Sequence, residues 1–210
     1  MVTPSLRDII NTAIEQEALT GELRAQFQHG LPALQERLLL PDDEPVGALV
    51  TFVTRYIKSV PGCLRLVTAV SHQMGFYAYA APFFHLAQDY FLHPPDALAS
   101  ELGLKGLMDE AFLAHRLMEE VNDHHIRHLQ RPLLPVDMTE ANIIVHHMLG
   151  DELAGRLEQL VVFTGGQQLS KEHVWQQARD TAGASEVRDQ GLGSDTLAEE
   201  GLEVRLRLGS

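Results

Sequence analysis

Apolar residues recur at intervals of three and four positions along most of the chain, the spacing that gathers them on one side of an α-helix. Pro and Gly residues interrupt this pattern and divide it into segments. Pro61 with Gly62 is expected to end one helix, and Pro82 to separate two others. The segments predict helices over about 5–19, 22–40, 46–60, 64–80, 83–91, 96–102, 104–129 and 138–163.

The fold class that follows is an all-α, single-domain helical bundle of about seven or eight helices over residues 1–180. Beyond residue 182 the chain is rich in Gly, Ser, Asp and Glu and has few large apolar residues. Residues 181–210 are therefore expected to form an acidic, flexible C-terminal tail. Within it, residues 203–208 alternate polar and apolar side chains, which is the pattern of an edge strand.

The composition makes this an acidic protein and limits the classes of partner that we expect it to bind. The 210 residues include 16 Lys and Arg against 29 Asp and Glu, a formal net charge of -13. This balance argues against nucleic acid and anionic membrane surfaces, because both are bound through clustered Lys and Arg. The single Cys63 excludes a disulfide framework within one chain and predicts a reducing compartment, so a cytoplasmic location is expected.

Residues 66–88 contain no Asp, Glu, Lys or Arg and are long enough to span a bilayer. Ser71 and Gln73 have polar side chains and the central Pro82 removes a helical hydrogen bond, and both are unfavourable in the hydrocarbon of a bilayer. We therefore expect core helices here and no membrane span. The segment is also rich in Phe and Tyr, whose rings often line sites for apolar ligands. A small apolar ligand would contact a pocket formed by four residues: His72, Phe83, Phe84 and His85.

Polar side chains fall on the apolar side of the two longest predicted helices when these are drawn at 100° per residue. The short Pro-rich link at 131–137 makes these helices antiparallel neighbours. His124 and His147 fall on the outer sides and are expected to be solvated. The inward set comprises His115, Glu119, Asn122 and His125 from the first helix, and Asn142 and His146 from the second.

This inward set predicts a metal site as the first functional hypothesis. His115, Glu119 and His146 supply nitrogen and oxygen ligands from two facing helices, with His125 completing the sphere, which suits Fe, Mn or Zn. Asn122 and Asn142 would orient the ligands by hydrogen bonds. The protein would then be a non-haem metalloprotein with oxidase-like chemistry.

Two other hypotheses stay open, since the sequence contains no motif that fixes an enzymatic reaction. One is a non-enzymatic interaction protein, for example a homodimer, in which the buried His, Glu and Asn residues form a structural network. Gly150 and Gly155, placed inside a predicted helix, would allow the close packing that such an interface needs. The other is a sensor that binds an apolar ligand among the central aromatic residues.

Overall fold

Most of the described residues lie in helices. A computed structural model describes residues 5–92, 103–130, 132–133, 137–168, 175–176, 179–180 and 203–207. Within these ranges it has seven helices and one short antiparallel pair of strands, which confirms the all-α prediction. The elements are α1 (Leu6–Thr20), α2 (Glu22–Arg37), β1 (Leu38–Leu39), α3 (Pro45–Gln73), α4 (Tyr77–Leu92), α5 (Leu104–Leu129), α6 (Thr139–Leu149), α7 (Asp151–Gln168) and β2 (Arg205–Leu206).

Local hydrogen bonds fix the start of α1 and the turn between α1 and α2. At the start of α1, Ser5 Oγ accepts from the Asp8 amide at 3.2 Å, while the Asp8 carboxylate accepts from the Ser5 amide at 3.0 Å. Gly21, with φ of 65°, ends α1 in the left-handed conformation that glycine tolerates best. The buried Glu17 carboxylate then accepts the Leu23 amide at 2.9 Å and fixes the start of α2.

Helix α5 lies at the centre of the bundle and packs against α1, α2, α3, α4, α6 and α7. The described buried apolar residues form a single core around it, as expected for one domain. Several polar residues of α5 are buried as well: Asp109, Glu110, His115, Glu119, His124 and His125. Their hydrogen-bonding needs must therefore be met inside the bundle.

Helix α3 does not end at Pro61, as the sequence pattern had predicted, but continues to Gln73. Pro61 cannot donate to the Ile57 carbonyl, a local loss that the burial of residues on both sides of it outweighs. The boundary between α3 and α4 falls instead at Gly75, with φ of 73°, and Pro82 lies inside α4. None of the described helices combines the length and apolar character needed to cross a membrane.

The helix predicted over 138–163 is also two helices, α6 and α7, because Gly150 adopts φ of 86° and ψ of 150°. Gly150 and Gly155 do not allow a close approach within this chain, since a Cβ atom added at either position would meet no described heavy atom within 4 Å, and Gly150 serves the turn. Close packing of these glycines against a second copy stays a prediction. The break changes the direction of the chain, so that α7 turns back beside His146 of α6.

The end of the described chain returns to the bundle as the edge strand that the 203–208 pattern predicts. Arg205 and Leu206 pair antiparallel with β1, and the Leu206 amide donates to the Glu140 carboxylate of α6 at 3.1 Å. Val204, 1% exposed, is part of the core. The tail residues 181–202 and the helix expected at 96–102 lie outside the described residues.

We expect Val204→Ala to lower the free energy of unfolding by about 1–2 kcal/mol, because it removes two buried methyl groups that anchor β2. Urea denaturation measures the change. Glu203→Ala, at the exposed neighbouring position, is the matched control and should have little effect. Equal stabilities for both variants and the wild type would show that residues 203–207 do not stabilise the bundle in solution.

Candidate functional site

A chain of hydrogen bonds joins α3, α5 and α6 in the interior. The Tyr56 hydroxyl donates to Asn142 Oδ1 at 2.6 Å, and Asn142 Nδ2 donates to Glu119 Oε2 at 2.6 Å. Glu119 Oε1 accepts from Thr139 Oγ1 at 3.0 Å, and Arg116 forms an ion pair with the same carboxylate. These partners meet the requirement of the Glu119 carboxylate, 9% exposed, which would otherwise be an unpaired buried charge.

The Tyr56 hydroxyl is held as a donor in this network. Burial, reinforced by the nearby Glu119 carboxylate, raises the pKa of Tyr56 well above its usual value, so the phenol keeps its proton. The sequence analysis missed Tyr56, because only the two longest predicted helices, 104–129 and 138–163, were drawn at 100° per residue. The predicted interior position of Asn142 and Glu119 is confirmed.

His115 is buried next to this network but bonds to other partners. Its Nε2 lies 3.1 Å from the Tyr56 carbonyl oxygen and 3.0 Å from Ser59 Oγ. Because a carbonyl oxygen only accepts, Nε2 carries the proton. Burial lowers the pKa of His115 to about 4, opposed by the hydrogen bond to the Tyr56 carbonyl, so the ring is neutral near pH 7.

His146 packs against α5, with its ring 6.2 Å from that of the buried Phe112, as the predicted inward position requires. It is only half-buried, however, and its nitrogens face α7, with Nδ1 at 3.3 Å from Glu158 and Nε2 at 3.4 Å from Asp151. The break at Gly150 allows this, because it turns α7 back so that these carboxylates lie beside the imidazole. The described contacts of His146 do not include His115 or Glu119, the residues with which it was predicted to hold a metal.

His125 and Asn122 also lie away from the network. His125 is buried, with Nε2 at 3.2 Å from the Met74 sulfur and its ring 5.7 Å from that of Phe76. The side-chain oxygen of Asn122 accepts the Leu133 amide at 2.8 Å and so fixes the start of the link that follows α5. These distances thus join His125 to Met74 and Asn122 to Leu133, and none of them joins either residue to His115 or Glu119.

The predicted metal centre is therefore not assembled by the described residues, which contain no group of three or more His, Cys, Asp or Glu side chains placed to hold a metal ion. The nitrogen of His115 and the oxygens of Glu119 bond to different neighbours, and His146 is turned towards α7. Binding a metal here would require these groups to give up short hydrogen bonds in a close-packed interior.

His124, expected to be solvated, is buried with an exposed fraction of 8%. Its ring lies parallel to that of Trp175 at 6.1 Å, and the ring of His128 stacks on the same indole at 4.8 Å. His124 Nε2 also pairs with the Glu120 carboxylate at 3.3 Å. Trp175 comes from a distant part of the chain, so a single-helix projection could not reveal the cover it provides.

A cavity of about 790 Å³ lies between the first turn of α1, the second half of α3 and α4. Of the predicted pocket residues, Phe84 and His85 line it, while His72 stacks on the lining residue Tyr77 with ring centres 3.6 Å apart. Phe83 is fully buried in the core and is not among the described lining residues. The apolar part of the wall is formed mainly by Leu6, Leu64, Ala69, Tyr77, Phe84 and Leu92.

Two arginines also line the cavity, Arg7 from α1 and Arg65 from α3, together with the polar Gln88 of α4. No described lining residue is acidic, which is the opposite of the charge balance of the whole chain. Sequence reasoning missed these arginines because they lie on helices 58 positions apart that only the fold brings together. The cavity thus combines apolar walls with cationic groups, as small-molecule sites often do.

Glu110 is another of the buried acids of α5 and is not among the described lining residues of the cavity. Glu110 is 4% exposed, and its Oε2 has no hydrogen-bond partner in the described structure. Burial, with a smaller contribution from the neighbouring Asp109, raises the pKa of Glu110 to about 9. The side chain is therefore neutral near pH 7, which avoids the cost of a buried charge.

We expect Tyr56→Phe to lower the free energy of unfolding by about 1–3 kcal/mol, because Asn142 Oδ1 would stay buried without its donor. Chemical denaturation provides the measurement. Tyr77→Phe removes the same hydroxyl from a half-buried tyrosine that no described hydrogen bond joins to the network, and it is the control. If the two substitutions cost the same, the network has no special part in stability.

We expect the free energy of unfolding of Glu110→Gln, relative to that of the wild type, to increase between pH 7 and pH 8.5. The unfolded chain has already lost this proton, whereas the folded chain retains it up to about pH 9, so wild-type stability falls by at most about 1.4 kcal/mol per pH unit. The variant cannot ionise at this position. Urea denaturation of both proteins at each pH isolates Glu110, and a difference that does not change with pH would contradict the assignment.

Comparison with known proteins gives no further guide to the function. No family model, no curated protein and no solved structure matches the chain.

Proposed function

We propose that this protein binds a small, predominantly apolar molecule in the cavity between α1, α3 and α4. The observation that carries the proposal is the cavity itself, about 790 Å³ with walls of aliphatic and aromatic side chains. This is within the range of sites that enclose ligands of drug size, and a few polar groups on the wall are typical of such sites. The protein would act as a binding protein or sensor, with no bond made or broken.

The position of the cavity in the fold supports this role. Its walls come from three different helices, and the interior network of Tyr56, Asn142 and Glu119 lies outside its lining. That network is satisfied by its own hydrogen bonds and needs no ligand to balance its charge. The cavity is the concave, partly apolar surface that an external molecule can enter.

The walls include residues that can be changed without emptying the core. Phe83 and Phe84 are both buried, so substituting either would damage folding as well as binding. Ala69 of α3 is only half-buried and lines the cavity, so a larger side chain there fills the space that a ligand would use. It is therefore the better position for a test.

We expect the wild type to bind N-phenyl-1-naphthylamine, a neutral apolar probe whose fluorescence increases in apolar surroundings. Ala69→Trp should weaken this binding at least about tenfold, because the indole would occupy the site. A fluorescence titration measures the dissociation constant, and circular dichroism confirms that each variant is folded.

Ala25→Trp is the matched control, since Ala25 is exposed on α2, which contributes no described residue to the cavity wall. It should leave probe binding unchanged. Absence of probe binding by the wild type, or equal affinity in the Ala69→Trp protein, would refute the proposed function.

A further inference from the structure

We infer that the ligand of this cavity contains an aromatic ring, which the aromatic pair Tyr77 and Phe84 of α4 selects. The inference rests on the proposed function and specifies the chemical class of the ligand. Both residues line the cavity, and their ring centres are 6.3 Å apart with the ring planes tilted by 35°. This separation is within the range of favourable aromatic pairs, so a third ring that enters the cavity extends an aromatic cluster that already exists.

The helix itself places the two rings on one side. Tyr77 and Phe84 are seven positions apart, which is about two turns of an α-helix, so they lie one above the other along α4. Phe84 is buried in the core, whose close packing restrains its ring. Tyr77 is only half-buried, so part of its side chain stays accessible from outside. The pair thus joins a ring fixed by the core to a ring that an incoming ligand can reach.

A neighbour from α3 holds the Tyr77 ring in place. The centre of the His72 imidazole lies 3.6 Å from the centre of the Tyr77 ring, and the two planes are within 19° of parallel. One face of Tyr77 is therefore covered, and the other face and the ring edges remain for a ligand. A side chain that is ordered before binding loses less conformational entropy when the ligand arrives, which favours the contact.

The part of the wall that comes from α3 does not discriminate between aromatic and saturated ligands. The apolar residues that α3 contributes to the described wall are aliphatic: Pro61, Leu64 and Ala69. They reward the burial of any apolar surface, whether its carbon atoms are aromatic or saturated. Aromatic side chains add an attraction between ring quadrupoles that a saturated ligand of the same shape does not receive. The preference for an aromatic ligand therefore depends on α4.

The test compares 4-tert-butylphenol with 4-tert-butylcyclohexanol, which share a carbon skeleton and a hydroxyl group and differ in the aromatic ring. Both compete with N-phenyl-1-naphthylamine, whose own affinity is measured for each protein. We expect the wild type to bind the phenol at least about threefold more tightly than the cyclohexanol. Tyr77→Leu removes the ring and keeps an apolar side chain, so it should weaken phenol binding at least about threefold and change cyclohexanol binding by less than about twofold.

Two control variants separate the ring from other effects of the substitution. Tyr77→Phe removes the hydroxyl group but keeps the ring, so it should retain the preference for the phenol. Phe163→Leu removes an exposed ring of α7, outside the described wall, and should leave both affinities unchanged. Circular dichroism confirms that each variant is folded, and the comparison of the two competitors in the wild type requires no variant.

The outcomes separate this inference from the proposed function. If the wild type binds the probe but shows no preference for the phenol, or if Tyr77→Leu weakens both competitors alike, the aromatic inference fails and apolar binding stands. A preference that persists in folded Tyr77→Leu would also overturn it, because the selectivity would not come from this ring. If the wild type does not bind the probe, the proposed function itself fails.

Discussion

The fold depends on one constraint, that the central helix α5 is surrounded by six other helices while carrying polar side chains into the interior. Each buried polar group must be hydrogen-bonded, paired or neutral, because the interior offers no water to replace its hydration. The chain uses each of these solutions. Glu119 forms an ion pair with Arg116 and accepts hydrogen bonds from Thr139 and Asn142. His115 and Glu110 are both neutral near pH 7, because His115 has lost its second proton and Glu110 keeps its proton.

These solutions also position the cavity. Tyr56 and Ser59, which bond to the groups around α5, lie in the same helix as the stretch of α3 from Pro61 to Ala69 that forms one wall. Pro61 lies between the two stretches and removes one helical hydrogen bond, so burial of α3 on both sides of it is what keeps them aligned. The interior network thus anchors the part of α3 that directly precedes the cavity wall.

The sequence predicted what depends on local periodicity and failed where distant segments decide the result. Helix positions and the burial of Glu119 and Asn142 followed from the spacing of apolar residues. The end of α3 was misplaced because a proline has a local cost of about 3 kcal/mol, which the packing of a long buried helix can exceed. The carboxylates that pair with His146 were missed because one glycine, Gly150, ends α6 and turns α7 back beside the imidazole.

The cavity could not have been predicted as a site from the aromatic segment alone, because its chemistry comes from α1 and α3 as well as α4. Phe84 and His85 were identified, but aromatic residues by themselves describe a core as well as a pocket. Arg7 and Arg65 come from helices outside the aromatic segment, so only the fold places them beside the rings of α4.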